Sequence, residues 1–353
     1  MQFSFGGEYR RESSAFDPSD NLINNRFAAF TEPTLFAPSG GAFDVKEAFG
    51  ELNAPLLKGQ RLAETLAVGA AYRFSHYSTI GDTNTWQVNG VYALIKDISF
   101  RGSYGKSVRA PNISELFQPA SGDSNFFIDP CAPGELGHGT QYRAANCAAV
   151  LSAVGATISD ALQTPNNTVG VRSGNTALRA EAATTWTAGV VLRPRFLHGF
   201  TASLDWYDIN LRDAINTPVP SQLATLCVDQ PTIANQFCTS IIRAPNTGVI
   251  NGYTVQPQNV ASFRTAGADL NVDYVVHTAR VGTFDLRLVG GYLNRLEFIG
   301  SPGAAPTNNV DQPGAPKFNF TFSPTRSVGG LTITYNLPPT ICAGPMARAR
   351  STS

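Results

Sequence analysis

At 353 residues the chain is long enough for two soluble domains or for one large β architecture. Its formal net charge is zero, so no global field draws it to nucleic acid, and charged residues make up 15%, against roughly 25% in ordinary soluble domains. No apolar run approaches the roughly 18–20 residues of a membrane helix, which excludes a helical span and leaves a membrane β-barrel untouched. Lysine is confined to Lys46, Lys58, Lys96, Lys106 and Lys317, and the polarity comes mostly from Asn, Thr, Ser and Gln.

Met1 opens directly into Gln2–Tyr9, with Phe3, Phe5 and Tyr9 on one face of a strand near 1–12. No secretory leader precedes it. A barrel protein reaches the outer membrane only by export, so residue 1 is not expected to be the natural start. Strands follow near 43–57, 63–79, 84–95, 97–109, 181–193, 200–213, 259–277, 282–298, 316–324 and 330–337. Their apolar residues recur at every second position: Leu66, Val68, Ala70, Tyr72 and Phe74; Trp86, Val88, Tyr92 and Leu94; Phe200, Ala202, Leu204 and Trp206. Arg264–Val276 shows the pattern best, with Ala266, Ala268, Leu270, Val272, Tyr274 and Val276 opposed to Thr265, Asp269, Asn271 and Asp273. That period belongs to a sheet wetted on one side.

The links between these strands alternate in length. Tight turns are expected around Lys58–Arg61, Lys96-Asp97, Pro194–Gly199, Thr278–Gly282 and Thr325–Gly329, and long links rich in Gly, Pro, Asn and Ser at 13–42, 110–180, 214–258 and 299–315. The link Ile80-Gly81-Asp82-Thr83 is short where a long one is due. Short turns on one side and long loops on the other are the arrangement of an outer-membrane barrel, periplasmic and extracellular respectively. The expected fold is all-β: an antiparallel transmembrane β-barrel wall of about eleven strands with long extracellular loops. Alternating strands also describe sandwiches and secreted barrels, so a soluble exported β-rich binding domain stays open as an alternative.

Cys131 and Cys147 share one long link, and Cys227 and Cys238 share another. Each pair closes a short loop, which in an oxidising compartment reads as two local disulfides, with about 3 kcal/mol expected for a loop of about 15 residues. Zinc is the weaker reading, because it asks for CxxC or Cys/His clusters and the histidines His76, His138, His198 and His277 are scattered. Cys342 has no evident partner. No GxSxG elbow, HExxH or P-loop occurs, so no catalytic, cofactor-binding or metal residue is singled out. Tyr77, Trp86, Tyr104, Trp186, Trp206, Tyr207 and Tyr292 lie near strand ends and read as interfacial girdles before sugar-stacking platforms. Arg73, Arg101, Arg287 and Arg295 are expected on the wet face paired with carboxylates; Arg264 shares parity with the apolar stripe, near an interface where its cost fades. Arg109 reads as a structural corner, because Pro111 ends regular pairing just beyond it.

Particular segments go further than pattern. Val45–Leu57 (VKEAFGELNAPLL), Ala71–Ser78 (AYRFSHYS), Ser107–Phe117 (SVRAPNISELF), Asn175–Glu181 (NTALRAE) and Asp205–Ile215 (DWYDINLRDAI) follow one another in this order. Together they resemble the barrel strands of TonB-dependent outer-membrane receptors. The resemblance implies a barrel of about 22 strands, of which this chain supplies the C-terminal half, closed inside by an N-terminal plug. It implies import of a scarce nutrient (an iron–siderophore, cobalamin or a carbohydrate) bound at extracellular loops, with outer-membrane lipid around the wall and the TonB complex pulling on the plug. The location implied is the outer membrane of a Gram-negative cell.

The sequence departs from that pattern at both ends. Plug, TonB box and leader are not found, and after Pro338-Pro339 the polar, basic stretch ending in Ser353 replaces the usual terminal aromatic strand. Residues 1–337 are therefore expected to form a partial barrel and 338–353 a tail from truncation or frameshift. A half-barrel in lipid has two open edges whose unpaired backbone groups cost several kcal/mol each, so this stretch alone is expected to be inactive. A passive porin-like channel is the remaining alternative.

Overall fold

The computed structural model describes residues 1–20, 38–300 and 306–337. Its strands in chain order are β1 (Gln2–Phe16), β2 (Ser39–Gln60), β3 (Ala63–Tyr77), β4 (Gly81–Ile95), β5 (Ile98–Arg109), β6 (Ser121–Phe127), β7 (Asn166–Arg172), β8 (Glu181–Leu192) and β9 (Phe200–Asn216). There follow β10 (Ile241–Arg243), β11 (Ile250–Val255), β12 (Gln258–Thr278), β13 (Gly282–Ile299), β14 (Thr307–Asn308), β15 (Phe318–Val328) and β16 (Leu331–Thr334). One sheet runs in the order β1-β2-β3-β4-β5-β8-β9-β12-β13-β15-β16, with β14 added to β13. Every pairing in it is antiparallel, as consecutive hairpins require. Among the described residues β1 and β16 are its two ends and do not pair with one another, so the wall is open.

Cross-strand partners share a face, and the register therefore sorts the side chains into two surfaces. One row joins Leu66, Tyr92, Phe100, Val190, Leu204, Leu270, Gly290 and Phe320 from β3 to β15. These apolar rows are not an interior: Phe100 is 45% exposed, Leu204 48% and Phe3 on β1 72%. The opposite face carries Arg101, Asp205, Asp269 and Asn319. Gly290 leaves room for Phe320 across the strand gap, since a Cβ there would sit 2.4 Å from its ring.

Strand lengths of 22 residues in β2 and 21 in β12 far exceed the roughly 9–11 needed to cross a hydrocarbon layer. The turn expected at Thr325–Gly329 lies later: β15 continues to Val328 and pairs with β16 from Thr325 onward. Gly329 and Gly330, with φ of 54° and 87°, make the reversal, because a two-residue hairpin turn needs positive φ at both centres. The expected loop 13–42 is also shorter than read, with β1 and β2 paired out to Phe16 and Ser39. The 338–353 tail and Cys342 fall outside the described residues.

Residues 110–180 and 214–258 are not two separate loops. They fold together into one cap: a four-stranded sheet in the order β10-β11-β7-β6 with helices Arg143–Ser152 and Pro220–Asp229 against it. β11 from the second segment pairs in parallel with β7 from the first, through Thr254 with Val171 and Val255 with Arg172. Phe127, Leu151, Leu223, Val228, Phe237, Ile250, Tyr253 and Val255 form its core. A polar, glycine-rich link composition thus conceals enough apolar surface for a core once two segments pool it.

Candidate functional site

The polar face and the cap carry the ion pairs of the described residues that are set out below. The core of the cap holds two bidentate ion pairs. Arg143 donates from Nε to Asp229 Oδ1 at 2.7 Å and from Nη2 to Oδ2 at 2.6 Å. Arg243 donates to both oxygens of Asp129 at 2.5 and 2.8 Å, and its Nη1 also reaches the Gly248 carbonyl at 2.7 Å. In each pair both side chains are close to fully buried. Such a charge is tolerated only while its partner is present. The Tyr253 hydroxyl donates to Asp123, and its ring meets Phe127 edge-on with centroids 6.4 Å apart. Gly170 admits that ring: a Cβ there would lie 2.3 Å from it.

The four loop cysteines lie in this cap. Cys131 and Cys147 are joined with Cα atoms 5.3 Å apart, and Cys227 and Cys238 with Cα atoms 4.4 Å apart. The first bond ties the helix Arg143–Ser152 to the segment after β6; the second ties the helix Pro220–Asp229 to the turn before β10.

Where cap meets wall, Arg109 at the end of β5 holds two carboxylates. It donates to Glu181 at 2.6 and 2.9 Å and to Glu115 at 3.0 and 3.1 Å. Glu115 closes a capping box with Asn112 at the start of the short helix Ile113–Phe117, and Glu181 accepts the Ile215 amide at 2.6 Å. Each of the two carboxylates thus meets both Arg109 and a backbone amide. Asn175 and Asn259 complete the seam by donating to the carbonyls of Pro257, Arg179 and Asp213.

Along the wall, arginines of the polar face meet carboxylates. Glu47, buried, receives Arg73 at 3.1 Å, Arg10 at 3.4 Å and the Ser75 hydroxyl at 2.5 Å. Arg101 grips Asp205 at 2.6 and 2.5 Å, and Arg287 faces Asp273 at 3.7 Å. Arg295 does not follow. Sequence parity places it on the polar face, but a bulge in β13 between Leu293 and Arg295 reverses the alternation. It sits opposite Ala266 on the apolar face and pairs with Asp208 at 2.9 Å. Arg264 is on the apolar face, as its parity requires.

The aromatic set also divides. Trp86, Tyr104, Trp186, Trp206 and Tyr292 belong to rows of the apolar face, with Trp86 and Tyr104 rings 5.3 Å apart, whereas Tyr77 and Tyr207 belong to the polar face. The histidines stay apart: His76 meets Asp82 at 2.6 Å, His138 meets Glu135 at 3.3 Å and His277 meets Thr283 at 2.9 Å. Among the described residues no group of three or more His, Cys, Asp or Glu could hold a metal ion. No helix of the described residues is long and apolar enough to cross a membrane.

At the short-turn end, the Arg195 guanidinium hydrogen-bonds Asp97 at 2.8 Å and holds its carboxyl below the ordinary carboxylate range. A lowered value stabilises the fold above the ordinary carboxylate pKa, and that stabilisation fades as pH falls through the lowered one. Arg195→Gln is therefore expected to return the Asp97 titration, followed by NMR, to the ordinary range.

A family model described as "TonB dependent receptor-like, beta-barrel" matches residues 1–343. A variant of the ferric enterobactin receptor PfeA from Pseudomonas aeruginosa, solved with enterobactin, is similar at 14% identity and TM-score 0.58, covering 96% of this chain and 39% of that one. The siderophore receptor PirA from Acinetobacter baumannii is similar at 12% identity and TM-score 0.55, covering 95% of this chain and 39% of that one. The RagAB peptide transporter is similar at 14% identity and TM-score 0.52, covering 94% and 38%. No curated protein matches. At these identities the likeness is one of fold, and the chain spans about 39% of the length of the first two structures.

Proposed function

Because the chain belongs to the TonB-dependent receptor-like β-barrel family, we propose that it forms part of the outer-membrane wall of a receptor that takes up a scarce small nutrient by energy-coupled transport. The observation that supports this most directly is the two-faced wall. An exposed apolar surface suits acyl chains; a polar surface whose arginines are engaged by carboxylates suits a wet, nearly neutral passage. The cap stands at the long-loop end, where a nutrient arriving from outside would first touch protein. An iron–siderophore, cobalamin or a carbohydrate is the class of nutrient proposed, bound at those loops. The TonB complex would act only through a plug, and closing the passage needs strands beyond the open edges at β1 and β16. The 353-residue stretch by itself is proposed to be inactive in transport.

Exported behind a leader peptide, the full chain is expected in the outer-membrane fraction, resistant to urea extraction. Recovery in the soluble periplasm would support a secreted binding domain instead. In liposome-swelling assays the chain is expected to pass no sugar; swelling without an energy source would favour a porin. In non-reducing gels of exported protein, we infer that both cap disulfides are formed. The double change Cys131→Ser, Cys147→Ser is expected to lose about 3 kcal/mol of cap stability, measured by proteolysis in increasing urea. Unchanged migration on reduction would argue against those bonds.

A further inference from the structure

Among the described residues, the cap sheet ends on a strand that is open on one side. β6 (Ser121–Phe127) is the last strand in the order β10-β11-β7-β6, and its principal neighbours are β7 and the helix Pro220–Asp229. Its amides and carbonyls make no backbone hydrogen bond to any described segment other than β7. Natural edge strands are ordinarily guarded by lysine, proline, a bulge or a charge. Ser121–Phe127 (SGDSNFF) has no lysine and no proline, and it pairs with β7 over all 7 residues without a bulge. Its one charge, Asp123, is already engaged by Arg172 at 3.6 Å and by the Tyr253 hydroxyl at 3.0 Å.

The open edge is also self-complementary. The pairs Gly122 with Val171, Ser124 with Val169 and Phe126 with Asn167 put Gly122, Ser124 and Phe126 on one face, opposite to the core residue Phe127. That face is apolar and exposed: Phe126 is 69% exposed, Val169 56% and, on β10, Ile242 55%. Gly122 and Phe126 stand two residues to either side of Ser124. A second β6 laid antiparallel about Ser124 therefore sets Phe126 of each copy across from Gly122 of the other. An aromatic ring beside a residue with no side chain is how strands shield an edge glycine. On the other face the same register sets Asp123 opposite Asn125, a carboxylate opposite an amide donor, and puts no like charges directly opposite. An unrelated peptide has no reason to match this symmetry of large and small; a second copy matches it by construction.

We propose that β6 is the contact of a homodimer: two copies of the chain pair antiparallel through β6 about a twofold axis at Ser124 and join their four-stranded cap sheets into one. The pairing satisfies the open backbone groups of both edges and runs the stripe of Phe126, Val169 and Ile242 across the two caps. One added strand on each side is a small interface, so the association is reversible. It is a property of the cap and holds whether or not the wall meets lipid as proposed above.

The exported full chain carrying Cys342→Ser is purified in detergent from whichever cell fraction holds it, and its S124C and V169C forms are oxidised side by side with copper phenanthroline. In the proposed register Ser124 faces its own copy with Cα atoms roughly 4.5–5.5 Å apart, within disulfide range. Val169, exposed on the same face, lies three strand spacings or roughly 14 Å from its copy. Most of S124C is expected to migrate as a covalent dimer in non-reducing gels, and V169C to stay monomeric. Adding F126K, a lysine of the kind that guards natural edges, is expected to slow the S124C cross-link about fivefold, because both Phe126 contacts are lost. The proteolysis pattern of the cap reports whether F126K folds; should it not, the comparison of S124C with V169C decides alone. S124C that links no faster than V169C overturns the contact, as does a folded S124C/F126K chain that links at the S124C rate. A covalent adduct of S124C with a different polypeptide in place of the dimer overturns the second copy as the occupant. Absence of the chain from the outer membrane counts against the wall reading and leaves this comparison standing.

Discussion

Arg243→Ala is expected to unfold the cap while leaving the wall paired. The side chain is buried, fills both oxygens of Asp129 and donates to the Gly248 carbonyl, so truncation strands a carboxylate with no water to receive it. Breaking one side of such a pair costs about 3–5 kcal/mol, a large share of what a small unit of this kind can hold. Limited proteolysis should show new cleavage between residues 110 and 180 and between 214 and 258, with the wall strands still protected. Because β7 and β11 lie in different segments, both should open together. The reverse swap, Asp129 and Arg243 both replaced by apolar residues of similar volume, should recover most of the loss. Cleavage confined to one segment would show that the two do not fold as a unit.

Leu270→Arg is expected to block stable insertion, and Asn271→Arg to be tolerated. These neighbours point to opposite faces. Leu270 lies in the row of Leu204 and Gly290, and Asn271 in the row of Ser203 and Val289. Arginine at mid-bilayer on the lipid side costs about 2–4 kcal/mol, whereas on the wet side it adds one more solvated charge. The readout is the fraction of exported protein that resists urea extraction from outer membranes. Equal tolerance at both positions would mean that the apolar face does not meet lipid.

How much of this was legible in advance follows from the range of the contacts involved. Alternation is a property of adjacent residues, so the segments 63–79 and 181–193 could be placed within a few residues of β3 and β8, and the apolar stripe Ala266–Val276 could be assigned to one face. The sorting of links by length was legible for the same reason. Arg295 was not, because its face depends on whether β13 carries an extra residue against β12, and nothing in Leu293-Asn294-Arg295 announces a bulge. Nor was the late turn at Gly329-Gly330, where strand pairing carried Thr325–Val328 past the earlier punctuation.

The residues alone determined a one-sided sheet and the order of its hairpins, since each depends on neighbours within a dozen or so positions. Tertiary structure alone decided that residues 110–180 and 214–258 share one core. Arg143 and Arg243 find their carboxylates at Asp229 and Asp129 across long chain separations, and β7 finds β11 likewise. Such meetings depend on where β8 and β9 bring the two segments within the wall, a matter of chain path that no short window of sequence contains.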